Sequence, residues 1–213
     1  MRGPILAMAL CGIASAAAPK IVFTKAFPHS KPEFEFVSVS KAGELLYKES
    51  ATDDQPVRAK LQSADVDLLF SLAEKLNYFK SPLESGLKVA NTGKKTFRYE
   101  DESGAGSEQV FNYSIDENAK QLLDRLELIA ESERAYLDLD RTVHFDKLGV
   151  NDALAEIESL WLRKELAAPS QFLPLLNRIA THETFMHIAR DRAARLRDQF
   201  QAVASASAEQ NPQ

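Results

Sequence analysis

Residues 95–130 read KTFRYEDESGAGSEQVFNYSIDENAKQLLDRLELIA, and the pattern of side chains changes period within that stretch. From Lys95 to Glu100, Thr96, Arg98 and Glu100 alternate with Phe97 and Tyr99. Ser103-Gly104-Ala105-Gly106 breaks the run, and alternation resumes from Glu108 to Ser114, with Phe111 and Tyr113 on one side and Val110 and Asn112 on the other. A period of two puts one face on a core and the other in water, as in an antiparallel sheet. From Asp116 the apolar positions become Ala119, Leu122, Leu126 and Ile129, steps of three and four that belong to a helix. The fold is therefore expected to turn from sheet to helix near residue 115.

Working back from that point, strands are predicted at Glu33–Ser40, Glu44–Lys48, Val57–Leu61 and Lys88–Ala90, with turns at Lys41-Ala42-Gly43 and Asn91-Thr92-Gly93. One helix interrupts them: Ser63 is its predicted cap, and Val66, Leu69, Ala73 and Leu76 lie on one stripe. Working forward, the helix from Asp116 runs past Tyr136 and is interrupted at Phe145–Gly149. Asn151 is predicted to cap the next helix, with Leu154, Ile157, Leu160 and Trp161 inward. Another begins at Ala168-Pro169-Ser170, with Phe172, Leu176 and Ile179 apolar. The last begins at Thr181 and carries Phe185, Ala189, Ala193, Leu196, Phe200 and Val203. Runs of strands followed by runs of helices define an α+β chain. The expectation is an N-terminal antiparallel sheet with one packed helix, followed by a C-terminal all-helical, bundle-like half. The divisions are residues 1–18 as a signal peptide, 19–115 as an α+β domain, 116–204 as a helical domain and 205–213 as a disordered tail.

The N-terminal division is the clearest signal of destination. Arg2 is followed by an apolar run from Ile5 to Ile13 and by the small residues Ala14-Ser15-Ala16. That order is the one of a cleaved secretory signal, with cleavage after Ala16 or Ala17. The apolar run is about half of the roughly 20 residues needed to span a bilayer, and nothing later approaches that length. The expected location is the periplasm or the extracellular space, with no transmembrane segment after signal cleavage. Cys11, the one cysteine, falls inside the signal, and Leu10 before it is too large for a lipoprotein box. A mature chain without cysteine has no disulfide and no thiol chemistry. The net charge is −5, and −6 once Arg2 is removed, which supplies no bulk attraction to nucleic acid.

The motifs that carry chemistry fail on spacing. His182 and His187 are five apart, where a helical zinc site needs four. Gly93-Lys94-Lys95-Thr96 lacks the upstream glycine of a phosphate loop at the right distance and leads into a strand. Ser85–Lys88 and Ser38–Lys41 match Ser-x-x-Lys without its companion elements. Asp53-Asp54, Asp101-Glu102 and Asp138/Asp140 read as solvated turns and surfaces. Arg190, Arg192, Arg195 and Arg197 are interleaved with Asp191 and Asp198, so the last helix reads as a solvated face with local ion pairs. No catalytic residue, metal site or cofactor is assigned.

What remains is the basic, glycine-containing stretch from Lys80 to Arg98. Lys88, Lys94, Lys95 and Arg98 are its candidate ligand- or partner-binding residues, against the plainer reading of a charged hairpin guarding a sheet edge. Leu83–Ala90, Lys95–Glu100 and Gln171–Leu176 resemble segments of a family of uncharacterised exported bacterial proteins. That resemblance implies an exported location and no transferable activity. The expected function is a non-enzymatic binding or interaction protein of the cell envelope, its possible partner an envelope protein. The alternative is a hydrolase whose carboxylate acid/base residues are too scattered to recognise.

Overall fold

In the computed structural model, which describes residues 18–209, six strands form one antiparallel sheet in the order β4-β3-β2-β1-β5-β6. They are β1 (Lys20–Ala26), β2 (Phe34–Ser40), β3 (Glu44–Lys48), β4 (Val57–Lys60), β5 (Lys94–Glu100) and β6 (Gly106–Phe111). The first four make a meander. Helix α1 (Ser63–Lys75) then carries the chain across the sheet, so that β5 pairs with the free side of β1. Four further helices follow: α2 (Glu117–Phe145), α3 (Val150–Leu162), α4 (Leu173–Thr181) and α5 (His187–Glu209). The architecture is α+β, as the change of period at residue 115 implies.

Among the described residues, the helices cover one face of the sheet. Ile21, Phe23, Val37, Val39, Leu45, Tyr47 and Phe97 point to it and are buried against Val66, Leu69 and Leu72 of α1 and Leu122 and Leu126 of α2. Phe97 lies at the centre, with ring centroids 5.9 Å from Phe23, 5.3 Å from Phe79 and 4.9 Å from Phe111. A second cluster of buried residues joins Leu139 and Val143 of α2 to Leu154 and Ile157 of α3, Leu176 and Ile179 of α4, and Ala193, Leu196 and Phe200 of α5. The 29-residue α2 thus belongs to both cores, its first half under the sheet and its second half in the helical bundle. Asp116 caps it, accepting hydrogen bonds from the Asn118 and Ala119 N–H groups.

Several elements differ from the sequence reading, β6 among them, which spans Gly106–Phe111 and not Glu108–Ser114. The central strand β1 escapes it because Ile21, Val22 and Phe23 are all buried, which erases the alternation by which half-buried strands are recognised. No strand forms at Lys88–Ala90, where Leu87 and Val89 are exposed and the segment is irregular. Gln62, not Ser63, precedes α1, and Gly149, not Asn151, precedes α3. Asn151 instead receives the Arg192 guanidinium from α5 at 2.6 Å. Thr181 ends α4 rather than starting α5: its hydroxyl bonds back to Asn177 O, and His182 is extended. The break at His182–Met186 drops Phe185 into the core while preserving the three-and-four spacing on both sides, so periodicity alone does not expose it. Finally, α5 continues to Glu209, past the expected start of the tail. The predicted signal peptide and Cys11 lie outside the described residues. Among the described residues, no helix is long and apolar enough to cross a membrane.

Candidate functional site

The Lys80–Arg98 stretch becomes a shaped surface through a few hydrogen bonds. Segment 84–93 has no ladder of its own and is pinned alongside residues 112–113. The Ser85 N–H donates to Tyr113 O at 2.9 Å, and the Asn112 side chain donates to Ala90 O at 3.1 Å while accepting from the Thr92 N–H at 2.9 Å. The Glu84 carboxylate accepts from the Asn112 N–H at 2.6 Å and the Gly86 N–H at 3.3 Å. These donors hold its pKa below the ordinary carboxylate value, Asn112 contributing most. Gly93 closes the segment with φ +98°, and a Cβ there would stand 2.9 Å from Phe27 Cβ, so no other residue fits without displacement.

The four candidate cations separate. Lys88 and Lys94 are exposed, with no ion pair among the described residues. Lys95, one residue along the strand, points to the opposite face and is 4% exposed. Its ammonium donates to Thr92 Oγ1 at 2.8 Å and Asn112 O at 2.9 Å, with Thr92 O and Gly93 O at 3.3 Å. Burial pushes its pKa down. Lys95 is therefore a clip that ties segment 91–93 to the end of β6. Arg98 lies on the solvent face, held to Glu100 at 2.8 Å and Glu108 at 3.6 Å. The structure thus presents Lys88 and Lys94 outward, and employs Lys95 and Arg98 internally.

Sequence reasoning missed the apolar part of this surface. Leu87, Val89, Tyr113 and Ile115 are all exposed, Leu87 at 57% and Ile115 at 61%. Tyr113 borders a cleft of about 390 Å³ between the end of the sheet and the first half of α2, lined also by Lys25, Lys95, Lys120, Leu123 and Glu127 among others. Lys25 crosses its floor to Glu127 at 2.7 Å. The signal was present in the sequence as Leu87 and Val89 flanking Lys88, but exposure there is a property of the segment's path.

Two other regions are candidates for function. A larger open cleft of about 970 Å³ separates the β1–β2 loop from α2 and α3; Glu33, Glu49, Glu131, Asp138, Arg134 and Arg141 are in its lining. Behind its wall Glu35 is buried 3.6 Å from Arg134, and desolvation raises its carboxyl above the ordinary value in spite of that cation. Phe145 at the end of α2 is 86% exposed, and Leu148, Met186 and Ile188 are exposed as well. His182 lies in the α4–α5 break, and His187 pairs with Asp191 at 2.8 Å on α5. Among the described residues, no three His, Cys, Asp or Glu side chains are grouped to hold a metal ion.

The chain matches no known family model, no curated protein and no solved structure.

Proposed function

We propose that this chain is an exported protein of the cell envelope that acts by binding a protein partner, and that the surface made by segment 84–94 and residues 113–115 is its contact. One observation carries this reading: Leu87 and Val89 are exposed on a segment held in place by Glu84, Asn112 and Lys95, and Tyr113 and Ile115 are exposed on the stretch to which that segment is hydrogen-bonded. Apolar side chains on a rigid backbone lose little conformational freedom on binding, which is what a protein contact rewards. Lys88 and Lys94 beside them favour a partner with an apolar groove and an acidic rim. Export rests on the signal-like segment of residues 1–18, and the resemblance to exported bacterial proteins agrees with it.

A hydrolase has less in its favour. The most strongly perturbed carboxyl, Glu133, is closed under Gln171 and lines none of the clefts described above, and Glu35 is turned to Arg134. A general acid must reach its substrate.

The test is in-cell crosslinking of the tagged full chain followed by mass spectrometry, with the variants Leu87→Ser/Tyr113→Ser and Lys88→Glu/Lys94→Glu. An envelope protein captured by the wild type and lost from both folded variants is the expected result. Undiminished capture by both variants would refute this contact. N-terminal sequencing of the exported protein, expected to start after Ala16 or Ala17, tests the location separately.

A further inference from the structure

Midway along α2, where the helix passes from one core to the other, two consecutive polar residues are completely buried, Ser132 and Glu133. Both fasten the connector between α3 and α4. The Ser132 hydroxyl accepts from the Ala167 N–H at 2.8 Å and lies 2.9 Å from Leu128 O, to which it donates. Glu133 Oε1 accepts from Gln171 Nε2 at 2.7 Å. The connector needs fastening: Lys164 and Ala168 have φ of +60° and +45°, left-handed conformations that disfavour residues with a Cβ.

The hydrogen-bond accounting at Glu133 is incomplete for an ionised carboxylate. Glu133 Oε2 and Gln171 Oε1 are both buried acceptors with no donor. A buried acceptor left unpaired costs on the order of 1–3 kcal/mol, more for a charged group. A proton on Oε2 provides the missing donor, and a neutral acid facing a primary amide can donate and accept at once. We propose that Glu133 is a proton-operated latch: neutral, it fastens the α3–α4 connector to α2, and ionised, it lets the connector go. The latch is independent of the partner surface above.

The surroundings agree with this. Burial raises the Glu133 carboxyl to about 7, against which the Gln171 hydrogen bond is the lesser influence. Several charged side chains of the packed elements are paired elsewhere: Arg134 of α2 with Glu35, Glu165 of the connector with Arg163, Arg178 of α4 with His144, and Arg192 and Arg195 of α5 with Glu158, whereas Arg190 of α5 has a buried Nε without a hydrogen-bond partner. The titratable group coupled to Glu133 is the Tyr136 phenol on α2, which is pushed up by burial first and by the Asp140 and Glu133 charges after it. The connector also walls a cleft of about 500 Å³ lined by Asp65, Trp161, Leu166 and Pro169 among others, so its release opens that cleft. For a protein outside the cytoplasm, external pH would set the state of the latch.

The experiment is hydrogen exchange by mass spectrometry on the full chain at pH 5.5 and 8.0, corrected for the intrinsic pH dependence of exchange. Protection of residues 163–172 is expected to fall by roughly tenfold or more at the higher pH while β1 stays protected. Glu133→Gln keeps a donor and an acceptor at any pH and should retain full protection at pH 8.0. Equal protection of the wild type at both pH values, or the same loss in Glu133→Gln, overturns the latch. A carboxyl ¹³C titration of Glu133 gives a second readout without mutation: a midpoint below pH 5 would also overturn it.

Discussion

Lys94 and Lys95 are neighbours of identical chemistry, and their replacement by methionine is expected to have different consequences. Lys94 is exposed at the start of β5 and touches nothing that its loss would strand, so Lys94→Met should change stability by less than about 0.5 kcal/mol. Lys95 is 4% exposed and places its ammonium among four oxygens. Two of those contacts, at 2.8 and 2.9 Å, are full-strength hydrogen bonds. Each contributes on the order of 1 kcal/mol net. The longer pair at 3.3 Å offsets part of the cost of burying the charge, and that burial also depresses the lysine pKa. Lys95→Met is thus expected to cost about 2 kcal/mol, or a fall in Tm of roughly 4–8 °C for a chain of this length. Because Lys95 holds segment 91–93 to the end of β6, the loss should appear there first, as faster proteolytic cutting within 84–93. Urea unfolding midpoints and limited proteolysis of the two variants measure both effects. Equal costs for the two lysines, or unchanged proteolysis in Lys95→Met, would refute the assignment of Lys95 as a clip. A paired charge reversal of Lys94 and Lys95 would confuse contact with folding, since Lys95→Glu buries a carboxylate against carbonyl oxygens.

Stability should fall as pH rises, on account of Glu133. Its folded value of about 7 lies above the ordinary 4.5, so its contribution is complete below about 4.5 and is lost by about 7. The loss amounts to roughly 3 kcal/mol at about 1.4 kcal/mol per pH step. Glu35 and Asp65, both raised by burial, act in the same direction, so the difference between wild type and Glu133→Gln in urea unfolding at pH 4.5 and 8 isolates the effect, and a constant difference would count against it. Asp116→Ala removes the acceptor for two N–H groups at the start of α2 and should cost about 1 kcal/mol in thermal unfolding, whereas Glu117→Ala beside it should cost less than half of that. Phe97→Ala opens the aromatic centre of the sheet and should cost about 3–5 kcal/mol by chemical denaturation; a cost under about 1 kcal/mol would mean that the cluster is not packed as described.

Much of the fold is legible along the chain because its chemistry is local. β2, β3 and β5 fall within a residue or so of the alternating runs, and α2 starts where Asp116 and its apolar stripe place it. The central strand β1 was illegible for the opposite reason: a strand covered on both sides by neighbours and long side chains has no alternation to read. At the candidate surface, the basic residues are visible in the sequence but their division into exposed and buried is not, since it depends on which face of β5 meets α2. Glu133 did leave a trace, standing four residues after Ile129 on the apolar stripe of Leu122 and Leu126, where a carboxyl is out of place.

Periodicity and turn residues by themselves determined the α+β order, the helical identity of the C-terminal half and the apolar, signal-like start, because each depends on residues within a turn or two of one another. Only the tertiary structure decided that Lys95 clips a loop while Lys94 faces solvent, that Leu87, Val89, Tyr113 and Ile115 are left exposed, and that Glu133 meets Gln171 across 38 positions of chain. Burial and hydrogen-bond pairing are set by which distant segments pack together, and the cost of an unpaired group exists only once water has been removed from it.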